Sequence, residues 1–452
     1  MFEEIKDIKI NFWKLKFLYK FHKYSLTHKN NLLTALFWNR VALLLCPKWI
    51  DLWMVRMELF LENGKNLKAA KLYYNSIKLS PQYSTVHRLG ALIANDGKLS
   101  DPFHTSFVDQ IEIKELKKMV KVLSKSNVIY HPSRFWLYHL VLNSIQLKFC
   151  GFENFKQTAN KNYFGWSSPE DIRTQFSCTI KALNINAKEL QSLFNTISVP
   201  KNQMPEDLSD SDWEIYVKLL HLLNEYALRN DNEAIYRDAV EPTLGNPICI
   251  DIDGKSVSQD LPHTSIEINT FMPFVKKDTK KVVNVAELGA GCGRVGYQLL
   301  QAYNNIKYTI IDIPPALFIS QEYLKTLFPH KKVFDAKEFS NWNEVKMDFE
   351  MSDIRFLYPQ QLELMPNYYF DIFINISSMS EMRPDQINNW FRLIDQTTRG
   401  IFFFKQYKQN HNTFDEVVIN KENYPIPKHW KILLDQENKL FSPFFDMVLE
   451  VN

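Results

Sequence analysis

The chain has 452 residues, 45% apolar and 23% charged, with a net charge of +3. That length is too great for one compact core, so two or three domains are expected, and the near balance of charge gives no footprint for nucleic acid or a membrane surface. Five scattered cysteines (Cys46, Cys150, Cys178, Cys249, Cys292) without C-x-x-C spacing exclude a disulfide framework or a zinc site and predict reduced, mostly buried thiols.

The start of the chain, Met1 to Asp7, is charged and has no apolar signal-peptide core. No run approaches the ~20 apolar residues of a membrane span. A cytoplasmic location is therefore expected.

From Tyr19 to Pro81 a 34-residue offset recurs: Tyr19 with Trp53, Ala35 with Ala69, Ala42 with Ser76, Leu45 with Leu79, and Pro47 with Pro81. Small residues at such positions let two helices of a hairpin approach, and large ones such as Trp53, Phe60 and Tyr73 fill the space between them. The period resembles the tetratricopeptide repeat. The preceding unit is weaker, with Asn39 where an aromatic belongs, and Gly97 to Pro102 breaks a third. Residues 1–125 are read as this helical-hairpin region. It serves either as a docking surface for a protein partner or as a helical extension on the next domain. Its lysines (Lys14, Lys16, Lys20, Lys23, Lys29) read as a solvated face.

Residues 126–243 read as a helical lead-in. Ser133 to Cys150 has helical periodicity with Phe135, Trp136, Leu140 and Leu147 as core, ending at Gly151. Ser209 and Asp212 offer N-cap chemistry for a helix over Trp213 to Ala227. The composition changes from Gly245. Pro247, Gly254 and β-branched residues predict a short hairpin, then a loop and a helix from about Thr264. Asp260, His263 and Glu267 cluster there.

Residues 244–452 carry the chemistry. Val283 to Leu288 is a short apolar strand. Gly289, Gly291 and Gly293 form a tight turn, a helix begins near Val295, and Lys307 to Ile311 is a second strand ending in Asp312. Strand, glycine turn, helix, strand and acid make half of a nucleotide-binding α/β unit, with the acid about 20 residues on, where a ribose diol needs an acceptor. A dinucleotide fingerprint would place its third glycine at Arg294. That disfavours a nicotinamide-dependent oxidoreductase, and a glycine turn without any ligand remains the plain alternative. Further along, Asp371 to Ser377 reads as a buried strand, Pro384 to Gln396 as a helix, Gly400 to Lys405 as a strand and Pro443 to Val448 as an edge strand. Pro314 and Pro315 stand where a helix after Asp312 begins.

The pattern Glu287-x-Gly289-x-Gly291-x-Gly293 resembles motif I of the class I S-adenosylmethionine-dependent methyltransferases. The resemblance implies a Rossmann-like α/β domain with a mostly parallel seven-stranded sheet, preceded by the all-α region. It places S-adenosylmethionine against Glu287, Gly289, Ala290, Gly291, Gly293, Arg294, Asp312, Ile313 and Asn375. In that fold Glu287 lies near the methionine amino group and Asp312 takes the ribose hydroxyls. From about Trp136 the chain also resembles the sugar O-methyltransferases of bacterial surface-polysaccharide gene clusters. The blocks that carry this are Asn154-Phe155-Lys156, Asp253-Gly254-Lys255, Asp312-Ile313-Pro314-Pro315, Asn375-Ile376-Ser377-Ser378 with Glu381-Met382, and Tyr424-Pro425-Ile426-Pro427. One departure is Phe404-Lys405-Gln406-Tyr407, where the family more often shows Tyr-x-Lys-Gln-Trp. The resemblance implies a sugar or glycan acceptor.

Methyl transfer to a sugar hydroxyl needs alignment, exclusion of water and late removal of a proton. Ligands gather outside the carboxyl ends of parallel strands. That rule selects Glu287, Asp312, Asn375 to Glu381 and Lys405 together; Glu381 is the first choice for base, and His263, ahead of the glycine turn, is the second. Lys405 serves either to orient a polar group or to hold an ion pair. No H-x-x-H or paired D-x-D spacing supports a metal. A non-catalytic helical scaffold with a degenerate α/β domain is the rival from another class.

Overall fold

A computed structural model describes residues 32–45, 50–62, 68–69, 72, 111, 113–159, 168–200, 204, 208–275, 281–412 and 415–451. The chain divides into two compact units, Met1–Pro102 and Phe103–Asn452. In the first, helices α1 (Leu32–Leu45) and α2 (Ile50–Glu62) pack through Ala35, Val55 and Leu59. Asn39, standing where the repeat wants an aromatic, is fully buried and donates from Nδ2 to the Leu52 carbonyl at 2.7 Å. Its own carbonyl oxygen accepts from Arg56 at 3.3 Å. The amide thus ties the two helices together by hydrogen bonds in place of ring packing. The repeat positions Tyr19, Pro47, Tyr73, Ser76, Leu79 and Pro81, and the five lysines, lie outside the described residues.

The second unit opens with helices α3 (Lys114–Ser124), α4 (Arg134–Cys150), α5 (Pro169–Leu183), α6 (Ala187–Asn195) and α7 (Asp210–Arg229). Their starts are written in the sequence. The Ser209 side chain accepts from the Asp212 amide at 3.2 Å, and the Ser168 side chain accepts from Asp171 just before Pro169. Helices α5 and α7 bury Ile172, Leu183, Trp213, Val217 and Leu220 against the hairpin of β1 (Ile250–Ile252) and β2 (Lys255–Val257).

The main sheet is made of β3 (Val283–Leu288), β4 (Ile306–Ile311), β5 (Val333–Phe334), β6 (Ile354–Leu357), β7 (Phe370–Ile376), β8 (Thr398–Tyr407), β11 (Lys431–Glu437) and β12 (Phe444–Val451). A small hairpin of β9 (Gln409–Asn412) and β10 (Val417–Asn420) stands apart from it. The order is β11-β12-β8-β7-β3-β4-β6-β5. From β5 to β8 all pairings are parallel, and β12 runs antiparallel to both its neighbours. The sheet is Rossmann-like and mostly parallel, with eight strands where seven were expected. The eighth, β5, has two residues, too few to show a period. The expected edge strand at 443–448 is a correction: β12 lies inside the sheet, and the edge is β11. Burial explains the difference, since β12 is buried almost throughout whereas β11 is largely exposed.

Helices α8 (Asp260–Phe271), α9 (Arg294–Ala302), α10 (Ala316–Leu327), α11 (Trp342–Met351) and α12 (Pro384–Thr397) flank the sheet. Strand alternation decides which helix each residue meets. On β8, Phe402 and Phe404 meet Phe391 of α12, while Phe403 meets Phe271 of α8. Lys405 shares the parity of Phe403 and Gln406 that of Phe404.

Of the four described cysteines, Cys292 is buried and Cys150, Cys178 and Cys249 are partly exposed, all with free thiols. The expectation of mostly buried thiols is corrected accordingly, because three of them lie on peripheral helices and loops instead of in the sheet core. Among the described residues no helix is long and apolar enough to cross a membrane.

Candidate active site

Strand β3 ends at Leu288 and the chain turns through Gly289, with φ of +72°, and Gly291, with φ of +61°, before α9 begins at Arg294. These angles lie in the left-handed region that favours glycine. At Gly289 space demands it as well: a Cβ would lie 2.3 Å from Oγ of Ser378. Asp312 follows β4, and its carboxylate accepts from the Gly291 amide at 3.0 Å and the Ile313 amide at 2.7 Å. Burial pushes its pKa up to about 7, against the lowering effect of amides from Ile313, Gly291 and Ala290.

A cleft of about 770 Å³, counting its open mouth, lies over this turn. Gly289, Gly291, Asp312 and Ile313 line one wall; Ser377, Ser378, Glu381 and Met382 line another; Tyr130, Pro132, Ser133, Trp136 and Trp390 complete it.

Glu381 ends a short 3-10 turn, Met379–Glu381, after β7. It retains some exposed surface, but the surrounding wall desolvates its carboxyl and pushes the pKa up to about 8, partly offset by a hydrogen bond from Trp136. The loop that carries it is held by buried amides. Asn375 donates to the Leu288 carbonyl at 2.8 Å and to Ser378 at 2.5 Å. Gln406 donates to Asn375 at 2.5 Å and accepts from the Ser380 amide at 3.1 Å. Ser377 takes a φ of +61°, a conformation costing about 1 kcal/mol or more that the surrounding bonds must enforce.

The opposite wall comes from the helical lead-in. Arg383 donates to the carbonyls of Val128 and His131, and Gln386 to those of Ile129 and His131. Tyr130 bonds the Glu363 carboxylate and accepts from Asn389 at 3.1 Å. At the start of α4, Asp415 accepts from the amides of Arg134 and Phe135, at 3.1 and 3.4 Å, a cap supplied from the β9–β10 hairpin. Asn412 of the same hairpin donates to the Glu381 carbonyl at 3.3 Å and to Asp415 at 2.9 Å. One hairpin thus positions both Trp136 and Glu381.

The other sequence-predicted residues stand behind the cleft. Glu267 of α8 accepts from Arg294 at 2.6 and 3.2 Å and from Lys405 at 2.7 Å, all three side chains being buried. The two cations hold the Glu267 pKa down to about 2 despite burial. His263 donates to Gln175 at 3.1 Å, and burial with Lys405 nearby lowers its pKa to about 3, leaving a neutral ring away from the cleft. Lys405 pairs with Glu267 on the α8 side of the sheet. Glu287 is buried, accepts from the Tyr308 hydroxyl at 2.6 Å and has its pKa pushed up to about 7 by desolvation. It does not line the cleft, nor do Ala290, Gly293, Arg294 and Asn375. Among the described residues no group of three or more His, Cys, Asp or Glu is placed to hold a metal ion.

Sequence reasoning read Trp136 as core and passed over Tyr130, Ser133 and Trp390, whereas Ser378 lies within the Asn375 to Glu381 stretch that the strand-end rule marks. Helical periodicity marks Trp136 as inward-facing, and nothing local shows that what it faces is Glu381.

No family model matches the chain, and no curated protein matches it. Among solved structures, the PH0226 protein from Pyrococcus horikoshii aligns over 41% of this chain and 90% of its own, at 15% identity and a TM-score of 0.30. A SAM-dependent methyltransferase from Aquifex aeolicus aligns over 41% and 89%, at 10% identity and a TM-score of 0.26. An S-adenosylmethionine-dependent methyltransferase from Clostridium acetobutylicum aligns over 42% and 90%, at 11% identity and a TM-score of 0.29.

Proposed function

We propose that the second unit is an S-adenosylmethionine-dependent O-methyltransferase acting on a sugar hydroxyl, in surface-polysaccharide or glycan biosynthesis. One relationship carries the reading: the Asp312 carboxylate, fixed by the Gly291 amide, lies in the same cleft as the half-buried Glu381. A nucleoside diol needs a fixed acid beside bare backbone, and the cleft offers both. S-adenosylmethionine, when bound, supplies an electrophilic methyl group.

The chain's own residues do the rest. Gly289, Gly291 and Ile313 offer close backbone approach, and Asp312 grips the diol. The wall of Tyr130, Pro132 and Trp136 excludes water. Glu381 accepts the proton of the acceptor hydroxyl, and a carboxyl with a pKa of about 8 is a stronger base when ionised than an ordinary one. Trp136 fixes its direction. Arg294, Glu267 and Lys405 stiffen the turn from behind, and Asn375 holds Ser378 against Gly289. The sugar acceptor rests on the sequence resemblance.

Thermal unfolding with S-adenosylhomocysteine and with NAD tests the cofactor class, since a ligand binding only the folded form raises its stability. A rise with S-adenosylhomocysteine alone supports the proposal. A rise with NAD alone replaces it with a nicotinamide-dependent activity.

A further inference from the structure

We infer that the acceptor is an uncharged hydroxyl compound that lays an apolar face on the aromatic wall of the cleft, and that phosphorylated or nucleotide-linked acceptors are turned away. This rests on the methyltransferase reading and names the substrate class for that site. Among the described lining residues the ionisable carboxyls are Asp312 and Glu381, and none of those residues is Lys, Arg or His. Arg383, next in sequence to the lining Met382, directs its guanidinium to the Val128 and His131 carbonyls and to Asp385. Lys405 points to the α8 side of the sheet and pairs with Glu267. With the cofactor's diol on Asp312, a phosphate on the acceptor would meet the Glu381 carboxyl and lose its hydration without a cation from the described lining in return.

The remaining surface suits a neutral ring. Tyr130 and Trp390 pack edge to face, with centroids 5.8 Å apart, and line the cleft together with Trp136. Such rings accept apolar C–H surface while their polar edges stay bonded. Ser133 adds a buried hydroxyl with no hydrogen-bond partner among the described residues, and an acceptor hydroxyl would satisfy it. An acid beside aromatic rings also suits an ammonium group, so an amine acceptor is a rival outcome.

The test uses the full chain. S-adenosylhomocysteine binding is measured first by calorimetry, and its absence removes the methyltransferase reading and this inference together. With binding established, labelled methyl transfer is followed to methyl glycosides of common hexoses and deoxyhexoses, to their 1-phosphates and nucleoside-diphosphate forms, and to amino sugars. The expected result is a kcat/KM at least about 10-fold higher on a neutral glycoside than on its phosphorylated counterpart. The gap should narrow as salt is raised. Equal or faster transfer to the phosphorylated or nucleotide-linked form, or preference for a free amino group over its acetylated counterpart, overturns the inference while leaving the cofactor assignment standing.

Discussion

The indole of Trp136 hydrogen-bonds the carboxyl of Glu381, although the two lie on opposite sides of the glycine turn in sequence. That bond lowers a pKa that burial raises, so the net value of about 8 reflects both. In kcat/KM the ionised Glu381 should appear as a rising limb near pH 8. Trp136→Phe keeps an aromatic ring and removes the donor, so the limb should move to higher pH. Glu381→Gln should lose about 10²- to 10⁴-fold in kcat with S-adenosylhomocysteine affinity retained. An unmoved limb in W136F would show that another group titrates.

Asp312 should govern cofactor affinity. A hydrogen bond to a charged group contributes about 1.5–3 kcal/mol, so Asp312→Ala should weaken S-adenosylhomocysteine binding by about 10- to 150-fold. Calorimetric titration checks this, and unchanged affinity would take the diol grip away from Asp312.

Gly289→Ala combines a φ of +72° with a Cβ 2.3 Å from Ser378 Oγ. A loss of about 1–3 kcal/mol in chemical denaturation is expected. Ser378→Gly in the same chain removes the collision but not the backbone strain, so it should restore part of the loss. No recovery in the double variant would place the cost in the backbone alone.

The cluster behind the turn should matter for folding ahead of chemistry. Glu267→Gln leaves the buried Arg294 and Lys405 without their carboxylate, and such a break costs about 3–5 kcal/mol. Per folded molecule, Lys405→Met should keep most activity where Glu381→Gln does not. Selective loss of kcat in K405M at unchanged folded fraction would return Lys405 to the catalytic set.

Stability should depend on pH in two opposing ways. Asp312 and Glu381 have folded pKa values raised from 3.8 to about 7 and from 4.5 to about 8. The folded state then holds their protons more tightly than the unfolded chain. Their contribution is full below the unfolded values and is lost as pH rises through about 7 and 8. Glu267 and His263 act oppositely, lowered from 4.5 to about 2 and from 6.5 to about 3. Their contribution is present above the unfolded values and is lost as pH falls toward those folded ones. Melting temperatures between pH 5 and 8.5 should decline on the alkaline side, less steeply in Asp312→Asn and Glu381→Gln.

The amino-acid sequence by itself determined the parts set by local chemistry. The strand, glycine turn, helix and acid from Val283 to Asp312 follow from apolar period and from backbone angles that favour glycine. The Ser209 cap, the Gly151 stop and the α12 start at Pro384 are equally local. Tertiary structure decided which of the polar residues beyond the strand ends face a ligand. Glu381 and Lys405 satisfy the same rule in sequence, yet alternation along β8 turns Lys405 toward α8, whereas the loop after β7 delivers Glu381 to the cleft. Trp136 and Ser133 join that site only because Asp415, Arg383 and Gln386 pin the lead-in over it. Hydrogen bonds between segments far apart in the chain leave no periodic trace, so only the folded molecule shows them.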